Sequence, residues 1–392
     1  MSCRAWLFAV SACLVATDFV CAQPTPSGYR RVVFDGTSLD GWTLENGAEA
    51  ELVDGALLLK AGMGWIRSDH PVTDFELRFT WKALQESKYD GGVFFRANPV
   101  AGKPFPQGYQ ANLLQHGEGE IIGIAGTKTE GLVKPGDWNE FVLLVVGERA
   151  KLTINGKKAY DVAGLKSALG FVGFQIEVPQ GGQFLLKNIS LNEIGFTSLF
   201  DGKSFAGWNS GEDVPLESCW KIEDGLLICN GDKGPWLRTR QEYGDFNLRF
   251  DYQVSPGGNS GVYVRVPKDG NHHRENDQQP TAGFEVQVLD DAHESYKTLK
   301  DFQYCASIYD FVGAQPRNCK PAGEWNTLEI NCRGGQVTTV HNGVMVTNIS
   351  DETIPAFALR LKQGFLGLQN HSTRVAFRHI RIGNALEYPA PK

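Results

Sequence analysis

The chain has 392 residues, of which 42% are hydrophobic, 21% charged and 11% aromatic, with a formal net charge of −7. That profile excludes disorder, collagen-like repeats and coiled coil, and fits two or three folded domains with cores of their own. The acidic balance excludes a dominant basic footprint for nucleic acid, and 45 glycines against 3 methionines favour strands and tight turns over helix bundles.

The start of the chain reads as an export signal. Arg4 supplies a positive start, Trp6 to Ala16 is apolar but too short to span a bilayer, and Val20-Cys21-Ala22 offers small residues before a cut ahead of Gln23. Residues 1–22 are therefore expected to be a signal peptide and the product to be secreted or periplasmic, with no membrane contact beyond that signal. A rival reading takes Val10-Ser11-Ala12-Cys13 as a lipobox, which would make Cys13 a lipid anchor. Five of the eight cysteines follow the leader: Cys219, Cys229, Cys305, Cys319 and Cys332. An odd number leaves at least one thiol unpaired within the chain. Cys219 and Cys229 flank a turn at Glu223-Asp224-Gly225, so a cross-strand bridge is expected there. With no Cys-x-x-Cys pair, a zinc knuckle is not expected.

An internal repeat organises the rest. Phe34-Asp35-Gly36 and Gly41-Trp42 recur as Phe200-Asp201-Gly202 and Gly207-Trp208. Asp74 to Phe79 recurs as Asp245 to Phe250, Gly92 to Arg96 as Gly261 to Arg265, Gly136 to Asn139 as Gly323 to Asn326, Asn155-Gly156 as Asn342-Gly343, and Gly173 to Gln175 as Gly367 to Gln369. The order never changes, so two homologous domains are expected over 28–195 and 196–386. The second is lengthened by polar insertions at Lys268 to Pro280 and Asp290 to Gln303. The segments between Gly, Asp and Asn punctuation read as strands, among them Leu57 to Leu59, Phe75 to Trp81, Phe141 to Val146, Leu248 to Val254, Val262 to Val266, Phe284 to Leu289 and Val375 to Ile382. Asn155-Gly156 and Asn342-Gly343 read as hairpin turns. Many short strands without helices between them predict an all-β protein of two tandem antiparallel sandwiches.

Period-two alternation then sorts the polar residues. Phe284, Val286 and Val288 share one face, leaving Glu285 and Gln287 on the other. The valines of 262–266 leave Tyr263 and Arg265 opposite, and Leu366 and Leu368 leave Gln369 and His371 opposite. If these faces belong to one sheet they form a wet surface bearing a carboxylate, a histidine and amides, suited to sugar hydroxyls. A half-exposed sheet also alternates without any function. The Trp-Asn pairs Trp138-Asn139 and Trp325-Asn326 read first as core tryptophans closing hairpins. His272 and His273 read first as part of a solvated loop, with metal binding the lesser alternative.

At these residues the chain resembles the 3-keto-disaccharide hydrolase family. The marks are Phe200 to Ser204 with Gly207-Trp208, Asn259-Ser260-Gly261-Val262 with Arg265, Phe284 to Asp290, Ile308-Tyr309, Lys320 to Asn326, and Gly367 to His371 followed by Phe377 to Ile380. They cover nearly all of 196–386. The resemblance implies concanavalin-like jelly-roll sandwiches, an oligosaccharide or glycoside substrate already oxidised at C3, and cleavage by elimination and hydration. It also places Asn259, Asp290 and Tyr309 with Tyr263, Arg265, Gln287 and Gln369 as substrate-binding candidates. His371 is expected as base or acid, Glu285 as its partner, and Arg265 near the enolate or a hydroxyl. A divalent metal ion on Glu285 or His371 is an alternative device for the enolate; no other cofactor is expected. The first copy departs at the polar positions: Glu285 is replaced by Gln110, Gln287 by Asn112 and His371 by Glu177, while Arg96 and Gln175 are kept. A binding or structural role is expected for it. Three rivals stay open: a two-carboxylate glycosidase, a non-catalytic lectin-like protein, and a purely structural module.

Overall fold

The computed structural model describes residues 27–391 apart from 167, 211–213 and 274–280. The expected leader 1–22 and Cys13 lie outside the described residues. Each half of the chain builds one eight-stranded and one five-stranded antiparallel sheet, with the same strand order in both halves. The five-stranded sheet of the second half runs Trp208–Ser210, Leu237–Tyr243, Gly364–Leu368, Asn259–Val266, Phe284–Leu289. Its first-half twin runs Trp42–Glu45, Met63–Ser68, Phe171–Glu177, Gly92–Asn98, Gln107–Asn112. The duplication read in the sequence is thus a duplicated all-β sandwich. Among the described residues, helix is confined to one short α-turn, Val178–Gly181, and brief 3-10 turns.

The turns follow from local chemistry. Asp54-Gly55, Asn155-Gly156, Asp224-Gly225 and Asn342-Gly343 all have two consecutive positive φ angles. That is the type I′ geometry whose twist matches paired strands and which Asn, Asp and Gly adopt most cheaply. In the second half, Phe250, Leu328, Ile330 and Phe377 of the larger sheet pack against Val262, Val264, Phe284, Val286 and Leu366 of the smaller one. Each such side chain contributes about 1.5–3 kcal/mol by leaving water. The alternation that buries the valines is what turns Glu285, Gln287 and Tyr263 outward.

The two halves meet through buried charge. Glu193, on the last strand of the first half, takes hydrogen bonds at Oε1 from Arg249 and Arg381 of the second, each at 3.0 Å, and at Oε2 from Arg381. Arg249 also bonds the Pro71 carbonyl at 2.6 Å and pairs with Glu329 at 3.1 Å. All four charged side chains are fully buried. The arginines hold the Glu193 carboxyl far below the usual carboxylate range against the cost of its burial.

Two expectations fail here for local reasons. Trp220, not Cys219, lies opposite Cys229 in the ladder, and all five described cysteines are free thiols. Trp138 and Trp325 are half-buried rather than core: Lys187 lies over the first ring and Arg378 over the second, each 3.9 Å from the ring centre. The adjacent asparagines are the buried members, and Asn326 Oδ1 accepts the Lys320 N–H at 2.8 Å.

Candidate active site

A cavity of about 210 Å3 opens on the outer face of the second half's five-stranded sheet. Asn259, Glu285, Gln287, Tyr309, Gln369 and His371, expected together from sequence, all line it. Register explains why. Strands 259–266 and 284–289 pair with Tyr263 opposite Glu285, Gly261 opposite Gln287 and Asn259 opposite Leu289. Tyr263 also faces Gly367 on the other side, which delivers Gln369 and His371 just beyond the strand end.

Glu285 is the centre of the site. Its side chain is 5% exposed and lies 3.3 Å from Nε2 of His272. Desolvation, reinforced by Asp310, pushes its pKa up to about 8. Desolvation likewise pulls His272 down to about 4. His272 Nδ1–H donates to the Gly270 carbonyl at 3.1 Å, which leaves Nε2 as an acceptor aimed at the carboxyl. At neutral pH both members of the pair are therefore uncharged. Gly261 makes room for it: a Cβ there would lie 1.8 Å from Glu285 Oε1.

The amides around this pair hold one another and face inward. Gln369 Nε2 donates to Tyr263 Oη at 3.0 Å, and its Oε1 is buried without a partner. Gln287 Nε2 donates to Asn259 Oδ1 at 3.1 Å. The far wall is the insertion after strand 284–289. There Gln303 Nε2 donates to Tyr309 Oη at 2.7 Å, so the Tyr309 hydroxyl keeps its own proton to give. His371 is exposed at the rim.

Three expected residues sit elsewhere. Arg265 is buried outside the cavity, with its guanidinium bonded to the Gly244 and Gly334 carbonyls at 2.9 and 2.8 Å and to Asp245 at 3.1 Å. Its φ of 51° and the register shift between Tyr263 and Val266 mark a bulge that turns the side chain away from the face alternation assigns. Arg96 has a similar φ of 47° and likewise bonds two carbonyls, of Thr73 and Lys166, and the Asp74 carboxylate, so this arginine clamps the fold in both copies. Asp290 Oδ2 accepts the Gly257 N–H at 2.9 Å and braces a turn. Tyr263 lies beneath the cavity, stacked on His272 with ring centres 4.3 Å apart. His272 and His273 were expected in a solvated loop; His273 is exposed there as expected, His272 is largely buried, and both line the cavity. The signal available was that their insertion is confined to the second copy, where the carboxylate is also kept.

In the first copy the corresponding side chains consume one another. Gln110 Nε2 donates to Gln175 Oε1 at 2.6 Å, and Gln175 Nε2 donates to Glu177 Oε2 at 2.5 Å. An amide replaces the central acid, and the acid that remains is already engaged.

Among the described residues, the group of three His, Cys, Asp or Glu ligand atoms close enough to share an ion is Cys305, Cys319 and His341, not a group built on Glu285 or His371.

The second sandwich thus carries a polar cavity lined by one buried acid, histidines and amides. The sequence profile of the 3-keto-alpha-glucoside-1,2-lyase-like domain matches residues 30–192 and again 195–383, and the chain belongs to that family, carrying the domain twice. A curated relative from Bacteroides thetaiotaomicron, named 3-keto-disaccharide hydrolase, is 31% identical across 48% of this chain and 78% of its own length. Two crystal structures from Parabacteroides distasonis, both described provisionally as glycosyl hydrolases, are 25% and 30% identical. They cover 49% and 48% of this chain, 94% and 98% of their own, with TM-scores of 0.41 and 0.40.

Proposed function

We propose that the second domain is a carbohydrate-active enzyme of the glycosidase type that cleaves 3-keto-glycosides by elimination followed by hydration. The observation that carries this reading is the Glu285 carboxyl, kept protonated at neutral pH by burial and placed 3.3 Å from an unprotonated imidazole nitrogen. A ketone at C3 acidifies the C2 hydrogen. His371 at the rim takes that proton, and the electron pair moves onto the C3 oxygen, which receives a hydrogen bond from Tyr309. The enolate then collapses, the C1–O bond breaks, and Glu285 protonates the leaving oxygen. Water adds to the C1=C2 bond: the Glu285 carboxylate takes its proton back from the water, and His371, whose proton exchanges with solvent at the exposed rim, protonates C2. The Asn259–Gln287 pair accepts hydrogen bonds from the ring hydroxyls and donates to them. The cavity is below the roughly 300–1,000 Å3 that encloses a drug-sized ligand, which suits one sugar unit held while its substituent points outward.

Carboxylate count separates this from ordinary glycoside hydrolysis, which requires two flanking the bond at about 5–9 Å. Glu285 is the one carboxylate lining the cavity among the described residues. The export of the chain after cleavage of residues 1–22 belongs to the same proposal. The deciding assay gives the protein a 3-keto-disaccharide beside its unoxidised parent. The account expects turnover of the ketone alone and its loss in Glu285→Gln. Full activity of that variant removes the assignment, and sugar affinity without product in either protein supports the lectin-like alternative instead.

A further inference from the structure

A second polar cluster lies under the cavity wall, in the core of the second half. Tyr252 comes from strand Phe246–Val254 and His341 ends strand Gln336–His341, both in the larger sheet. Cys305 and Cys319 come from the long segment between strands 284–289 and 326–333. The ligand atoms of Cys305, Cys319 and His341 all lie within 4.8 Å of one another. The Tyr252 hydroxyl is 2.7 Å from Cys305 Sγ, 2.8 Å from His341 Nε2 and 3.8 Å from Cys319 Sγ.

The fold does not require these polar side chains. By the internal repeat, Tyr252 corresponds to Trp81 and His341 to Ile154, both fully buried apolar residues of the first half. The second copy therefore carries a phenol and an imidazole, and sets two thiols against them, where the first carries hydrocarbon. The histidine is also pre-oriented. Its Nδ1–H donates to Asn318 Oδ1 at 2.8 Å while Asn318 Nδ2 donates to the His341 carbonyl at 2.6 Å. That fixes the tautomer with Nε2 free to ligate, the outer-shell arrangement typical of metal-binding histidines. An entry path exists as well: half-buried Cys319 lines a surface cavity of about 180 Å3 with Asp291, Tyr304, Arg317 and Lys320.

We propose that Cys305, Cys319 and His341, with the Tyr252 hydroxyl as fourth group, form a binding site for a thiophilic divalent cation of the zinc type, separate from the sugar cavity. Two thiolates neutralise a divalent ion, so the loaded site adds no net charge to an apolar core. Tetrahedral zinc with sulfur at about 2.3 Å and nitrogen at about 2.0 Å spaces its ligands roughly 3.3–3.8 Å apart, so shifts of about 1 Å close the cluster around an ion. Loading releases the two thiol protons to solvent and involves no redox change. Cys305 N–H donates to Asp291 Oδ1 at 2.8 Å, and the two sulfurs lie 3.7 and 3.5 Å from the Gln287 and Leu289 carbonyls. The ion would therefore pin the segment bearing Gln303 and Tyr309 to the sheet that bears Glu285. Its role is to hold the cavity wall, not to touch substrate.

The test is a Co(II) titration of the reduced, chelator-stripped full chain. The proposal expects one Co(II) per chain, a near-ultraviolet thiolate-to-cobalt absorption band with tetrahedral visible bands, and displacement by Zn(II). The band disappears in Cys305→Ser and Cys319→Ser and persists in Cys332→Ser. Asn318→Ala, which leaves every ligand in place, weakens binding by about 10–100-fold. Absence of the band in the reduced wild-type chain overturns the proposal, and so does its persistence in both ligand variants. A Cys305–Cys319 disulfide found by peptide mass spectrometry in the protein as isolated also overturns it. The wild-type spectrum decides the matter even if a cysteine variant does not fold.

Discussion

Replacing Glu285 by Gln should raise stability while abolishing turnover, and the gain should grow with pH. The carboxyl is pushed from 4.5 up to about 8 in the folded protein. Below pH 4.5 it is protonated in both states and costs nothing on this count. Between the two values the unfolded chain releases the proton and the folded chain keeps it, so folding is penalised by about 1.4 kcal/mol per pH unit. The penalty reaches an upper bound of roughly 5 kcal/mol near pH 8 and is constant beyond. Glutamine carries no such proton. For domains of this size about 2–4 °C in Tm accompanies each kcal/mol. Thermal melts of the two proteins from pH 5 to pH 9 should therefore show the variant gaining on the wild type by roughly 10 °C between pH 5 and pH 8, with no further gain above. A Tm difference independent of pH, or a wild type that overtakes the variant as pH rises, would refute the desolvated-acid reasoning and the mechanism with it.

Other expectations follow from the same geometry. If Glu285 is the proton donor, kcat/KM for a 3-keto-glycoside falls as pH rises through about 8, and Gly261→Ala, whose Cβ collides with Oε1, moves that limb to lower pH along with a large loss of rate. Arg265→Ala should lower Tm, because three hydrogen bonds of a buried guanidinium are lost, while the folded fraction keeps its KM; a selective rise in KM would return Arg265 to the cavity. Glu193→Gln leaves Arg381 buried without its carboxylate partner and Arg249 with Glu329 alone and should cost about 3–5 kcal/mol, read by denaturant unfolding; an unchanged midpoint would deny the ion cluster its role in joining the halves. The Glu193 pKa is depressed, so its contribution is present above the ordinary carboxylate range and lost only as pH falls well below it. N-terminal sequencing of exported protein should begin at Gln23, and a lipid-modified Cys13 would replace that assignment.

Where the backbone is regular, the sequence is sufficient to bring the cavity-lining residues to one face. Strand 284–289 has no irregularity, so alternation alone puts Glu285 and Gln287 outward, and Asn-Gly and Asp-Gly pairs mark hairpins because few other residues accept two positive φ angles. Alternation failed at Arg265 because a bulge breaks the period, and only its repetition as Arg96 hinted that both serve the fold. His272 was hidden for a different reason. It lies in an insertion with no period, and its partner Glu285 is reached only once the chain has folded back. The Tyr252, Cys305, Cys319 and His341 cluster is assembled from two sheet strands and a long connection, so no local spacing announces it.

The central claim is that cleavage proceeds through removal of the C2 hydrogen. The measurement that addresses it most directly is turnover of a 3-keto-disaccharide in D2O, followed by NMR or mass analysis of the released 3-keto sugar. Elimination and hydration predict deuterium at C2 in the product of the wild type and no product from Glu285→Gln. Product released at full rate with hydrogen retained at C2 would contradict the mechanism and point to direct displacement at C1.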